Sequence, residues 1–359
     1  MEINIKTKNR IINNTSPTYI IAEIGINHNG RYDLAEKLII ESAKAGVDAV
    51  KFQKRDATSI MIKKNINSNP KGYLSKNEND ISTDQPEYGS WSYPDTRLEL
   101  SEEDYAKLKD VAENLNVDFF ASPWDQKSLE FLIKLGISIV KIPSVEITNY
   151  DYLEKFSKID IPIILSTGTA NEEEVDKALN LLSKNNNKII LLQCTSAYPS
   201  KFEEIDLNVI QTYKEKYKCL VGFSGHEPGI NVAVGAVALG AKVVEKHVTL
   251  NKSMNGTDHL ASIDMIELKE MVDGIRQIEK ALGSKKKKKY KSEEVLVSIL
   301  GKSLATKYPL KAGSVLKKED LITKGPPSGI SSQDFYNVIG KKLLKDKNGD
   351  EILFPDELE

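Results

Sequence analysis

The chain has 359 residues, 40% of them apolar and 28% charged, and a formal net charge of −2. This describes a globular protein without the surplus of positive charge that nucleic-acid binders carry, so any anionic partner has to be argued from a local site. Cys194 and Cys219 are the only cysteines, too few for a disulfide scaffold; no apolar run reaches the ~20 residues of a membrane span; and the N-terminal MEINIKTKNR lacks the apolar core of a signal peptide, so a cytoplasmic protein is expected.

Along the chain, short apolar runs alternate with amphipathic stretches, the pattern of strand–helix units around a parallel sheet. The predicted strands are YIIAEIGI (19–26), DAVKFQ (48–53), VDFFAS (117–122), SIVKIPS (138–144), PIILST (162–167), KIILLQC (188–194), CLVGFS (219–224) and AKVVEKH (241–247). Helical patterns cover 32–46 and 101–115, the second opening with Ser101 and Asp104 at capping-box spacing, and another covers 266–282. Eight such units in about 270 residues predict an α/β fold, the (β/α)8 TIM barrel. A doubly wound sheet is the alternative, but EIGINHNG, after the first strand, has no G-x-G-x-x-G.

The connection from Lys54 to about Leu100 is long for a compact domain and leaves the C-terminal end of the second strand, the place for a lid. Five consecutive lysines in GSKKKKKYKSEE then mark a solvated boundary. The expected organisation is a barrel over 1–284, a linker over 285–294 and a small domain over 295–359, which is marginal as an independent core and is expected to lean on another surface.

A barrel of this kind carries its chemistry at the C-terminal strand ends. Here these ends supply Glu23 and Asn27, Lys51 and Gln53, Ser122, then Lys141, Ser144 and Glu146. They continue with Ser166 and Thr167, then Thr195, Ser196 and Tyr198, Ser224 and His226, and His247 with Asp258 and His259 beyond. Taken singly, each has a bland reading as a salt-bridge partner, a snorkelling lysine or a helix cap. Together they need an explanation, because interior strand positions favour Val, Ile or Leu and a buried charge is costly without a partner. Two lysines and several hydroxyls on one rim suit a phosphate group. His226 and His247, 21 residues apart, stand at the ends of adjacent strands. A metal site or core and general-base roles are both open for them.

The motifs IAEIGINHNG, VKFQK, FFASPWD, VKIPSVEITN, ILSTG, LLQCTSAYP, GFSGHEPG, VVEKHVTL and GTDHLAS, followed by GKSLATKYPLKAGSVLKKEDL, run over nearly the whole length. In order and in kind they resemble the sialic acid synthase family, whose barrel is followed by a small antifreeze-like (SAF) domain. The resemblance implies a carbon–carbon bond-forming transferase that condenses phosphoenolpyruvate with N-acetylmannosamine or a related open-chain hexosamine and releases phosphate by C–O cleavage. Its alternatives are a 9-phosphate synthase acting on a 6-phosphorylated sugar and a legionaminate or pseudaminate synthase. It implies a divalent metal on His226 and His247, typically manganese, with magnesium or cobalt as alternatives. It implies a phosphoenolpyruvate pocket on Lys51, Ser122, Lys141, Ser144, Ser166, Ser196 and Ser224, and sugar contacts and proton transfer on Glu23, Gln53, Glu146, Tyr198 and Asp258. Glu146 is the candidate base. It also implies a homodimer with exchanged SAF domains, and neither nucleic acid nor membrane as partner.

Two departures stand out. Many bacterial members carry an arginine in the cap, where this chain reads Lys324, Gly325, Pro326, Pro327. Ser196 replaces an asparagine and is more like the animal enzymes that use a 6-phosphorylated sugar, for whose phosphate Lys54 and Arg55 are the candidates. Two rivals are a Schiff-base aldolase using Lys51 or Lys141 and a non-catalytic binding protein; the intact set of polar strand ends argues against the second.

Overall fold

A computed structural model describes residues 3–60, 98–186 and 188–359. The connection expected as a lid lies, for residues 61–97, outside the described residues.

Eight strands form one parallel sheet: Tyr19–Gly25, Ala49–Lys54, Asp118–Pro123, Val140–Ile142, Ile163–Ser166, Ile189–Cys194, Leu220–Gly225 and Val243–His247. Apart from the third and fourth, each pairs with its neighbour in sequence, and the eighth returns to pair with the first. The third and fourth strands lie in contact without a hydrogen-bonded ladder and form the seam of the barrel. The fourth strand is shorter than its sequence pattern: it stops at Ile142, because Pro143 has no N–H for a ladder, and Ser144–Glu146 turn into a single 3-10 turn.

Helices pack around this sheet, and their ends follow local chemistry. The helix Glu102–Asn114 opens with a reciprocal Ser101–Asp104 capping box, and Met265–Leu282 opens with Asp264, whose carboxylate accepts from the amides of Ile266 and Glu267. The helix Tyr32–Ala45 stops at Gly46, whose φ of 94° is the left-handed cap that glycine adopts without a Cβ penalty.

The base of the barrel is closed by a feature that the sequence pattern did not announce, an antiparallel pair of two-residue strands, Ile5–Lys6 and Ile11–Ile12. Ile5 and Ile12 are buried in the core, and the turn between them is tied to strand starts: Asn9 N donates to Asp118 (3.0 Å) and Arg10 Nε to Asp48 (2.9 Å). Asp48 also accepts from Ile20 N (3.0 Å) and from Arg276 (3.0 Å). The strand starts are thus committed to cohesion, and the opposite ends are left for chemistry.

Contacts divide the chain at Gly283 and Ser284 into two units. The second unit has its own small core, with Leu304, Leu316, Leu321, Ile330, Leu343 and Leu353. Strands Ser303–Thr306 and Leu321–Lys324 pair antiparallel, and isolated bridges such as Ala305–Ile352 and Val315–Lys342 complete its irregular sheet. The buried Lys347 ammonium is satisfied by Glu357 (2.7 Å) and the Ile352 carbonyl (2.9 Å).

Candidate active site

The parallel register sets the site residue by residue. Glu23 lies opposite both His247 and Lys51, Gln53 opposite Ser122, and Ser224 opposite both Glu245 and Cys194. Side chains alternate along a strand, so Glu245 and His247 share the inner face of the eighth strand. They open into a cavity of about 520 Å³, within the usual range of small-molecule sites. It is lined by Glu23, Lys51, Gln53, Ser122, Lys141, Ser144, Ser166, Ser196, Tyr198, Ser224, His226, His247 and Asp258, all singled out from the sequence. Glu146 is not among the lining residues: the turn that ends the fourth strand directs its carboxylate to Asn149 Nδ2 (2.7 Å), with a pKa raised by partial burial. His28 and His259 also stay outside the lining. Gly30 N donates to His28 Nδ1, His259 pairs with Thr249 (2.8 Å), and burial lowers both, to about 3 and about 4.

Sequence reading missed Glu245, which is central here. Its carboxylate stands 3.5 Å from both Lys51 and Lys141 and accepts from Ser224 Oγ (3.3 Å). Lys51 also meets Glu23 (2.8 Å) and Ser122 Oγ (3.2 Å), and Gln53 Nε2 donates to Glu23 (3.1 Å). Burial raises Glu23 to about 7, against the opposing pull of Lys51 and with Glu245 adding to the rise. For Glu245 burial is outweighed by Lys141 and Lys51, and its pKa is lowered. Burial lowers Lys141, incompletely offset by Glu245.

Beside this cluster lies an oxygen-rich recess. Gly168 N donates to Ser144 Oγ (3.1 Å), while Ser166 Oγ is buried without a partner. A Cβ on Gly168 would come within 2.2 Å of Ser196 Oγ and 2.8 Å of Ser144 Oγ. Donors, Lys141 and an absent side chain make a cradle suited to a phosphate-sized anion.

The His226 and His247 rings are 5.3 Å apart between centroids. Tyr198 lies against both, at 4.1 and 5.7 Å. His226 Nδ1 donates to the Thr195 carbonyl (2.8 Å), which leaves the lone pair of the ring on Nε2. His247 Nδ1 is buried with no hydrogen-bond partner, 3.7 Å from Asp258, and burial, reinforced by His226 and Lys51, lowers its pKa well below the usual value. Among the described residues no group of three His, Cys, Asp or Glu side chains is placed to hold a metal ion. Two imidazoles with an orphaned nitrogen fit a divalent ion whose other positions go to water and substrate. Cys194, a further residue that sequence reading did not select, lies 4.0 Å from His226 Nδ1; burial would raise its thiol, but His226, Ser144 and Lys141 bring it to about 7.

At the outer edge, Arg55 packs on the Trp124 ring (5.0 Å), and Lys54 pairs with Glu99 (3.4 Å). Glu99 also faces Arg55 (3.9 Å), so one carboxylate serves both cations.

Comparison with known proteins agrees in sequence and in fold. The model of the NeuB family matches residues 38–287, and that of the SAF domain matches 301–359. N,N'-diacetyllegionaminic acid synthase of Campylobacter jejuni is 42% identical over 94% of this chain and 98% of its own. Human N-acetylneuraminate-9-phosphate synthase is 36% identical over 93% and 91%. The crystal structure of N-acetylneuraminic acid synthetase from Leptospira borgpetersenii, in complex with citrate, superposes with a TM-score of 0.71 at 32% identity, over 83% of this chain and 96% of that one. The chain therefore belongs to the NeuB family and carries a C-terminal SAF domain.

Proposed function

We propose that this chain is a nonulosonic acid synthase that joins phosphoenolpyruvate to the aldehyde of an open-chain N-acylated hexosamine and releases phosphate. The observation that carries this reading is the convergence, in one cavity, of an anion cradle, a pair of imidazoles and a buried carboxyl poised near neutrality. The names of the relatives, synthases of legionaminic and sialic acids, support it.

In this reading Lys141, Ser144, Ser166 and Ser196 hold the phosphate, with the Gly168 amide orienting Ser144, and Lys51 with Ser122 and Ser224 holds the carboxylate of phosphoenolpyruvate. His226 and His247 hold a divalent ion, manganese by preference, which when bound supplies Lewis-acid polarisation of the sugar aldehyde. Tyr198, Gln53 and Asp258 fix the sugar. C3 of phosphoenolpyruvate attacks the aldehyde carbon, and water adds to the cation left at C2. Glu23 takes the proton released by that water and returns it to the oxygen formed from the aldehyde, a shuttle suited to a carboxyl near pH 7. The C2–oxygen bond to phosphate then breaks, the proton of the C2 hydroxyl passes to the departing phosphate, and the 2-keto acid is left. Holding both reactants together contributes roughly 7 kcal/mol or more to lowering the barrier.

Lys54 is held by Glu99, and Arg55 by Glu99, Gln53 and the Trp124 ring, so an unphosphorylated sugar is taken as the preferred substrate. We read the enzyme as a cytoplasmic homodimer with exchanged SAF domains. The exposed apolar residues Val295, Leu296, Ile299 and Leu300, beside the linker, support a partner surface.

Phosphate release from phosphoenolpyruvate, followed with manganese and a panel of N-acetylmannosamine, its 6-phosphate and diacetamido-hexoses, tests the reading. An unphosphorylated sugar is expected to be turned over at least about tenfold faster than the 6-phosphate, and His226→Ala to lose at least about a thousandfold in kcat. Silence with every sugar would sink the assignment, and full activity of His226→Ala would remove the metal from it.

A further inference from the structure

Lys246 and Glu227 are both 0% exposed, yet neither lines the cavity. Each is the chain neighbour of one of the two histidines: Glu227 follows His226 and Lys246 precedes His247. Alternation along the eighth strand turns Lys246 to the face opposite Glu245 and His247, away from the barrel axis. There its ammonium meets Glu227 Oε1 at 2.7 Å and also bonds the Glu227 backbone carbonyl. One cation therefore grips the same residue by side chain and by main chain.

The neighbouring sequence makes room for this. A Cβ on Gly225 would stand 2.5 Å from Glu227 Oε2 and 2.6 Å from the Phe223 ring, so glycine there leaves the space that the carboxylate fills. Taking two charges out of water is costly, and a well-packed apolar pair often serves stability as well or better. The register points to another role. The ladder between the seventh and eighth strands runs Val244–Phe223, Glu245–Ser224, Lys246–Gly225 and stops there. His226 lies just past its end, and the Lys246–Glu227 link ties the segment after the seventh strand back to the eighth strand where the ladder no longer does.

We propose that Glu227 and Lys246 form a strut, seated on Gly225, that fixes the spacing of the His226 and His247 rings; both are positioning residues for that histidine pair. The functional consequence rests on the reading of the two imidazoles as metal ligands, whereas the strut itself is a statement about their geometry.

Two variants test it. Glu227→Asp keeps the charge but shortens the reach, and the double variant Glu227→Gln/Lys246→Met removes both charges at similar volume. Manganese affinity, read from the free-ion paramagnetic resonance signal, is expected to fall about tenfold or more in both, the scale seen when a ligand's support is removed. The KM for phosphoenolpyruvate is expected to stay within about twofold, because most of its pocket stands on other strands, and thermal unfolding to stay close to the wild type. Undiminished manganese affinity in both folded variants would overturn the proposal. Loss of folding in both would mark the pair as a stabilising element alone and overturn it equally; if only the double variant fails to fold, Glu227→Asp decides. A wild-type protein that binds no manganese would remove the metal reading instead. The strut would then be judged by the imidazole separation in the crystal structure of Glu227→Asp, and an unchanged separation would refute it.

Discussion

Glu23 sits 2.8 Å from Lys51, and burial still raises its carboxyl to about 7. Since this exceeds the value of 4.5 for a free glutamate, the folded chain binds that proton more tightly than the unfolded one. The stability so contributed is full below about pH 4.5 and is lost as pH rises through about 7. Glu23→Gln is therefore expected to gain on the wild type between about pH 5 and pH 8, by up to about 3 kcal/mol, while losing turnover. Urea unfolding at a series of pH values reads this, and a stability difference that does not change with pH would count against it. The residue scale also shows where a sequence can be read and where it cannot. In VVEKH the period of two already puts Glu245 on the face of His247, so that signal was present and was missed. The departure of Glu146 was not written in periodicity, since it depends on Pro143 ending a strand and on Asn149 capturing the carboxylate.

At the scale of elements, the eight strands were legible because buried parallel strands read as near-continuous apolar runs. Their ends differed by a residue or two, and only the fourth was cut substantially, to Val140–Ile142. The hairpin Ile5–Ile12 was not legible, because two-residue strands carry no period and depend on partners as distant as Asp118. Helix starts were written more plainly. Asp264 accepts from two first-turn amides of the longest described helix, and its own N–H donates to the Glu267 carboxylate (2.9 Å). Asp264→Ala is expected to lower stability by about 1–2 kcal/mol with the chemistry intact, because the cap serves the helix and lies outside the cavity. Denaturant unfolding measures the loss; a change below a few tenths of a kcal/mol would show that the cap is dispensable.

For the whole molecule, composition and strand count sufficed for the barrel, while the small second core follows from irregular bridges that no periodic pattern announces. Its boundary coincides with the lysine run, whose side chains are exposed from Lys285 to Lys289. Brief digestion with trypsin is expected to cut there and to release a C-terminal fragment that resists further cleavage, read by mass spectrometry. Immediate loss of that fragment would show that the second unit does not hold together by itself. The cavity also has a consequence as a single electrical object. Among the described residues its lining sets Lys51, Arg55 and Lys141 against Glu23, Glu245 and Asp258, three cations against three carboxylates. A polyanion entering this chamber finds little surplus positive charge among these side chains, so its binding draws on the ion proposed for the imidazole pair and on hydrogen ions. Glu23, half-titrated near neutrality, is the group placed to accept one. Occupancy of the barrel is thereby coupled to the acidity of its surroundings, and the heat of binding carries the ionisation heat of whichever buffer gives up the proton.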